Sequence, residues 1–306
     1  MNVNANILEI NEVDRSFRVG FWLKRVQVLQ NITFSVKRNS VFGLLGHNGA
    51  GKTTLIQLVA GIRPPNRGSV KIDGSPASTP TARKVLGYTP ERPYFHEHLT
   101  GEQLLYYMGT LSGLTRDQIA ARIPEVLATV NMEHGRHKEL RAYSKGMLQR
   151  IGIAQAILPD PQLLVFDEPM SGLDPIGRRE IRDLILGLGK QGRTVFFSTH
   201  LIEDVESICQ EIAVLQKGKL VGYGPSGEFM TPDKTAVEIG FSAKRLDPNF
   251  DHRFPGASLE KIPEGWKLTC MGSDNLNPLL KSMIDQELKV MWVRPLRPSL
   301  EEMFRR

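Results

Sequence analysis

Continuous apolar runs alternate along this chain with segments of helical period. Residues 40–45 and 163–166 are apolar almost throughout, the pattern of strands buried on both faces of a parallel sheet, and 194–199 reads as another buried strand around Val195-Phe196-Phe197. Residues 55–60 repeat at helical spacing and stop at Gly61, so the first of these strands runs through a loop into a helix. Between positions 91 and 144 the period is helical. Thr100-x-x-Gln103 and Thr115-x-x-Gln118 match capping boxes, and each precedes apolar positions spaced by three and four. Pro124 falls inside the second helix and is expected to kink or restart it. An earlier strand is read at 26–36, preceded by a connection at 18–25 longer than a tight hairpin needs. Residues 218–225 read as the last strand of this first body.

Past Thr231-Pro232 the pattern changes. Residues 236–241, 266–271 and 288–293 read as strands, with a helix at 276–284 between the last two. The prediction is a large domain over 1–230, with a helical subdomain near 92–155, and a small α+β domain over 231–306. Residues 298–304 read as a capped terminal helix.

The loop that joins the first strand to its helix is Gly46-His47-Asn48-Gly49-Ala50-Gly51-Lys52-Thr53-Thr54. Its glycines allow close backbone approach and inward-facing amides, and the helix adds its positive end, so it cradles phosphates. Lys52 reaches the terminal phosphates and Thr53 holds magnesium. The metal then needs a carboxylate and the attacking water a base. Asp167 and Glu168 follow the apolar run 163–166 and supply both, Asp167 for the metal and Glu168 as general base. His200 ends the strand at 194–199, at the edge where open parallel sheets collect ligands, and is assigned to the γ-phosphate.

Two further segments matter. Tyr143-Ser144-Lys145-Gly146-Met147 places a good N-cap and exposed amides before a helix, a second anion site with no lysine required. Met170-Ser171-Gly172-Leu173-Asp174-Pro175 forms a turn. Taken in order, these motifs resemble the ATP-binding cassette family over about the first 230 residues. The resemblance implies a P-loop cassette with a mixed core sheet, an antiparallel β subdomain and a helical subdomain, and ATP and Mg2+ as ligands. It also implies a head-to-tail dimer. There Ser144, Lys145, Gly146 and Met147 face the γ-phosphate held by the partner copy's residues 46–54, and Asp174 crosses between the sites. Phe17 stands where the family stacks an aromatic on adenine, with Phe21 and Trp22 as alternatives.

Two motifs depart from the family's commonest form. The signature usually reads Leu-Ser-Gly-Gly-Gln, whereas Tyr143, Lys145 and Met147 stand here with Ser144 and Gly146 retained. Glu91 replaces the usual glutamine of the Q-loop; it can reach metal or water through oxygen, and it adds negative charge. Both departures resemble cassettes that serve ABC-2 type exporters. The resemblance then implies an ATPase that pairs with a second cassette, most simply a copy of itself, and drives an integral membrane permease gripped by the helical subdomain. Arg92, Tyr94, Phe95 and His96 are the candidates for that grip. Cargo and nucleic acid would not touch the chain. The rival reading is a soluble cassette ATPase acting on nucleic acid or ribosomes; its usual tandem cassettes or coiled-coil insertion are not seen.

Bulk properties narrow this only a little. The chain has 306 residues, 41% hydrophobic, and a net charge of +6, modest enough to suit an anionic membrane surface or nucleic acid equally. Residues 15–38 carry six basic side chains and no acid, so the connection at 18–25 is a candidate lipid or partner contact or a solvated hairpin. No run approaches the roughly 18 apolar residues of a membrane helix, and residues 1–6 lack a signal-peptide layout. Cys209 and Cys270 lack metal spacing and fit a reducing compartment. The expectation is a cytoplasmic protein, peripheral on the inner face of the cell membrane.

Overall fold

The computed structural model describes residues 5–20, 24–230, 236–243, 257–271 and 276–295. The chain divides into two compact units, Met1–Ser226 and Gly227–Arg306.

In the first unit, β1 (Asn6–Val19), β2 (Lys24–Lys37), β4 (Arg67–Ile72) and β5 (Ser75–Pro76) form an antiparallel sheet in the order β2-β1-β4-β5. The larger sheet contains β3 (Val41–Leu45), β6 (Leu86–Thr89), β7 (Leu163–Phe166), β8 (Thr194–Thr199), β9 (Glu211–Gln216) and β10 (Lys219–Pro225), in the order β10-β9-β3-β8-β7-β6. Its neighbours are parallel except for β9 with β10, so the sheet is mixed. Every residue of β3, β7 and β8 is buried, which is why their apolar runs show no alternation. Phe42 of β3 stacks on Phe34 of β2 with centroids 5.5 Å apart and meets Phe196 of β8 at 5.7 Å, so one aromatic cluster joins the two sheets. Truncating such a ring costs about 3–5 kcal/mol.

Around the sheets lie α1 (Lys52–Val59), α2 (Pro80–Lys84), α3 (Gly101–Leu111), α4 (Arg116–Thr129), α5 (Lys145–Ile157), α6 (Pro175–Lys190) and α7 (Ile202–Ile208), with α8 (Ser226–Met230) at the junction of the units. Both capping boxes form, at Thr100 with Gln103 and at Thr115 with Gln118. Pro124 does not restart α4, which continues to Thr129 with Ile123, Val126 and Leu127 buried on both sides of the proline. Arg122 holds α4 to α5: its guanidinium donates to the carbonyls of Ile157 (3.0 Å) and Leu158 (3.1 Å) at the end of α5, which need partners.

The connection at 18–25 is shorter than the sequence suggests. Arg18 pairs with Arg25 and Val19 with Lys24 in the β1/β2 ladder, so residues 20–23 alone join the strands. Phe21 and Trp22 lie outside the described residues.

In the second unit, β11 (Ala236–Ser242), β12 (Ser258–Ile262), β13 (Gly265–Met271) and β14 (Lys289–Pro295) form an antiparallel sheet in the order β12-β13-β11-β14, with α9 (Leu276–Asp285) contributing Leu279 and Met283 to its core. The sequence reading missed β12, an edge strand with only Leu259 and Ile262 as apolar positions and no fully buried residue. The helix read at 298–304 lies outside the described residues. Among the described residues no helix is long and apolar enough to cross a membrane.

Candidate functional site

The carboxyl ends of β3, β7 and β8 converge on one cavity of about 380 Å³, at the edge where parallel sheets bind ligands. Asn48, Lys52, Thr53, Glu91, Glu168 and His200 are among its lining residues. The phosphate loop needs its glycines. Gly51 has φ 109°, and a Cβ there would press on Leu29 Cδ2 at 2.9 Å and the Val28 carbonyl at 3.1 Å.

Lys52 is buried and turned inward. Its ammonium donates to the carbonyls of Gly46 (2.6 Å) and His47 (3.2 Å) and lies 3.0 Å from Glu168 Oε1. The second carboxylate oxygen of Glu168, Oε2, is 2.9 Å from His200 Nδ1. Glu168 is thus held from both sides. Its backbone is held too, in a left-handed conformation (φ 47°) that costs a residue with a side chain roughly 1–3 kcal/mol. Ser198 stabilises that turn, because its hydroxyl accepts from the Glu168 amide (2.9 Å) and donates to Asp167 Oδ1 (2.7 Å).

Asp167 sits just behind the cavity wall and is almost fully buried. Burial raises its carboxyl pKa above the ordinary aspartate value; hydrogen bonds from Ser198 and Thr53 oppose this, and the nearby charges of Glu168 and Glu91 add to it. Glu91 itself lies on the cavity wall, where it accepts from Ser171 Oγ at 3.4 Å. Of the three carboxylates, Glu168 alone pairs with Lys52, while Asp167 accepts from the Thr53 hydroxyl and Glu91 stands on the cavity wall. The hard oxygens of Thr53 and Asp167, with Glu91 near them, are of the kind that suits a divalent cation such as Mg2+.

The signature residues lie elsewhere on the same unit. Ser144, Lys145, Gly146, Met147 and Asp174 line a separate cavity of about 490 Å³. Ser144 caps α5 by accepting from the Met147 amide (3.2 Å), and Asp174 caps α6 by accepting from the Gly177 amide (2.8 Å). The Lys145 ammonium occupies the space where a Cβ on Gly172 would stand. Phe17 is not among the residues lining the phosphate-loop cavity. Its ring has guanidinium carbons of Arg15 and Arg63 at 4.8 and 5.4 Å from its centroid. Of the proposed partner-facing residues, Tyr94 is 93% exposed, but Phe95 is buried against the helix around Gly152 and belongs to the core.

An ABC transporter family model matches residues 29–171. Across almost the whole chain, an uncharacterized ABC transporter ATP-binding protein of Synechocystis is 35% identical over 307 residues, 99% of this chain and 84% of that protein. This chain belongs to the ABC transporter ATP-binding proteins. It is an ATPase of the cassette class.

The linearmycin resistance ATP-binding protein LnrL of Bacillus subtilis is 33% identical over 199 residues, 64% of each chain. The solved structure of cbiO1 from Clostridium perfringens, part of the ABC transporter complex cbiONQ, is 29% identical with a TM-score of 0.65, over 74% of this ATPase and 90% of that chain.

Sequence reasoning gave no role in the site to Val28 or Ser198. Val28 lines the phosphate-loop cavity from a β-bulge, since Gln27 pairs with Ser16 and Leu29 with Arg15, which leaves Val28 as the extra residue. Ser198 did carry a signal: a hydroxyl next to the apolar centre of a fully buried strand, two positions before His200, must find a buried partner.

One consequence concerns pH. A carboxyl whose folded pKa is raised favours folding when protonated, so its contribution is present below the ordinary aspartate pKa and is lost as pH climbs through the raised value. Asp167→Asn should therefore stabilise the nucleotide-free ATPase relative to wild type, by a margin that widens as pH rises through that window and then levels off. Denaturant unfolding in EDTA across that range measures the margin; one that shrinks with rising pH would contradict the burial of a charged Asp167.

Proposed function

We propose that this ATPase is the motor of an ABC-2 type exporter, in which two copies close head to tail over two ATP and drive a permease on the cytoplasmic side of the membrane. The observation that carries the reading is the separation of the two anion sites: the phosphate-loop cavity holds Lys52, Glu168 and His200, while Ser144 and Gly146 open onto another cavity. One chain offers two halves, and a second copy in antiparallel arrangement completes both.

Within each completed site, arriving phosphates compete for the ammonium of Lys52 and draw it from the Gly46 and His47 carbonyls. Glu168 then loses its ion-pair partner and remains oriented by His200. Its carboxylate takes a proton from water as that oxygen bonds to the γ-phosphorus and the bond to the bridging oxygen of ADP breaks. The partner's Ser144 hydroxyl and α5 amides hold the γ-phosphoryl oxygens, and Asp174 borders that contact. Thr53, Asp167 and Glu91 would hold Mg2+, which neutralises phosphate charge. The backbone of residues 46–54 encloses the β-phosphate, and Val28, on the wall of the same cavity, borders the nucleotide.

Support for the exporter branch comes from Tyr143, Lys145 and Met147 in the signature, from Glu91, and from similarity to a protein named for linearmycin resistance. The exposed Tyr94 marks the permease contact. A photo-crosslinking residue at position 94 should capture a polytopic membrane protein in native membranes, and an alkaline wash should release the uncrosslinked chain. ATP-dependent co-sedimentation with ribosomes or DNA, with no membrane-protein adduct, would instead establish the soluble reading.

A further inference from the structure

Tyr143 stands where the family's signature usually has leucine, and it is buried. Its hydroxyl donates to the Gly135 carbonyl at 2.7 Å. Burial raises the phenol pKa above its ordinary value, so the group stays a donor. Two glycines shape its pocket. A Cβ at Gly101, the first residue of α3, would collide with the phenol oxygen, and one at Gly135 would come within 3.1 Å of it. A leucine could fill part of this space, but it could not reach the carbonyl as a donor.

The segments on either side of the phenol are laced together. The amides of Gly101 and Glu102 donate to the carbonyls of Lys138 (3.3 Å) and Arg136 (3.0 Å), and those of Leu140 and Arg141 donate to Leu99 (2.9 Å) and Glu97 (3.0 Å). Glu102 also forms an ion pair with Arg136 at 2.5 Å, which lowers its carboxyl pKa. Residues 97–102 are thus tied to 135–141 by backbone hydrogen bonds and this ion pair. They also lead directly into α3, whose exposed Tyr106, Tyr107 and Leu111 form an apolar surface. Ser144, one residue from the phenol, is the group that faces the second anion site.

We propose that Tyr143 is a positioning residue that carries displacement of Ser144 to residues 97–102 and the exposed face of α3. The proposal rests on the sandwich reading of Ser144 given above. When the partner's γ-phosphate draws in Ser144 and the start of α5, the neighbouring phenol pulls on Gly135 and presses on Gly101. Because the two segments share backbone hydrogen bonds, both shift as one piece.

Hydrogen exchange of the full chain, with and without magnesium and a non-hydrolysable ATP analogue, tests this. In wild type, exchange should slow about fivefold or more both at 144–148 and at the laced amides of 101, 102, 140 and 141. Tyr143→Phe should keep the slowing at 144–148 and lose it at the laced amides. Equal slowing of both regions in Tyr143→Phe overturns the relay and leaves the sandwich intact, whereas no slowing at 144–148 in wild type overturns the sandwich and the relay together. Gly101→Ala provides a second test. Alone it should lower the melting temperature by several degrees, and adding Tyr143→Phe should recover most of that loss, because the nearest remaining ring atom, Cζ, is 3.5 Å from the new methyl. Failure of that rescue would overturn the assigned packing.

Discussion

Glu168→Gln should abolish turnover while leaving ATP bound, and the purified protein should accumulate as an ATP-dependent dimer. Glutamine keeps the size and can still hydrogen bond to His200, but it cannot accept the proton that the attacking water must lose. General-base losses of this kind are about 10²–10⁴-fold in turnover. Binding should survive for a second reason. In the nucleotide-free chain Lys52 lies 3.0 Å from Glu168, so a neutral side chain there releases the ammonium for phosphate. Phosphate release and light scattering together make the test. Hydrolysis within tenfold of wild type would remove Glu168 from the base role, and a variant that no longer binds ATP would mean that the carboxylate chiefly supports Lys52.

Much of this site can be read from sequence because its chemistry is written in short, contiguous segments. The run 163–166 announces a doubly buried strand with Asp167 and Glu168 just past its carboxyl end, and the structure places Glu168 on the cavity wall and leaves Asp167 off it, almost fully buried. Other features depend on pairing or context that a linear pattern does not contain. A bulge at Val28 turns a strand residue toward the phosphate loop, and neither β1 nor β2 marks it by composition. The edge strand β12 has too few apolar positions to show a period, because a single neighbour and a half-exposed surface ask little of it. Pro124 looks like a break in isolation, yet burial of Ile123, Val126 and Leu127 on the same helix outweighs one lost hydrogen bond. The left-handed backbone of Glu168 is equally silent in sequence. Its support comes from the Ser198 hydroxyl, thirty positions later, which accepts from the Glu168 amide.

The head-to-tail arrangement leads to a second large effect, visible when damaged chains are paired. Consider heterodimers, purified through two different tags, in which one copy carries Lys52→Ala and the other Ser144→Ala. If each site takes its phosphate loop from one copy and its signature from the other, one site receives both lesions and the other receives none. Such a dimer should retain about half of wild-type turnover where the sites act independently. Now place both lesions on one copy and pair it with wild type. Each composite site then carries one lesion, and activity should fall toward that of the single-mutant homodimers. A site built within one chain predicts the reverse ranking, since the first pairing would damage both sites and the second would spare one. The comparison uses the same two substitutions in the same stoichiometry, so folding losses cancel between the two heterodimers. The order of their activities therefore reports the geometry alone. Greater activity in the dimer of wild type with the doubly substituted copy would sink the trans role of Ser144; greater activity in the dimer of the two single variants would establish that Ser144 acts on nucleotide bound by its partner.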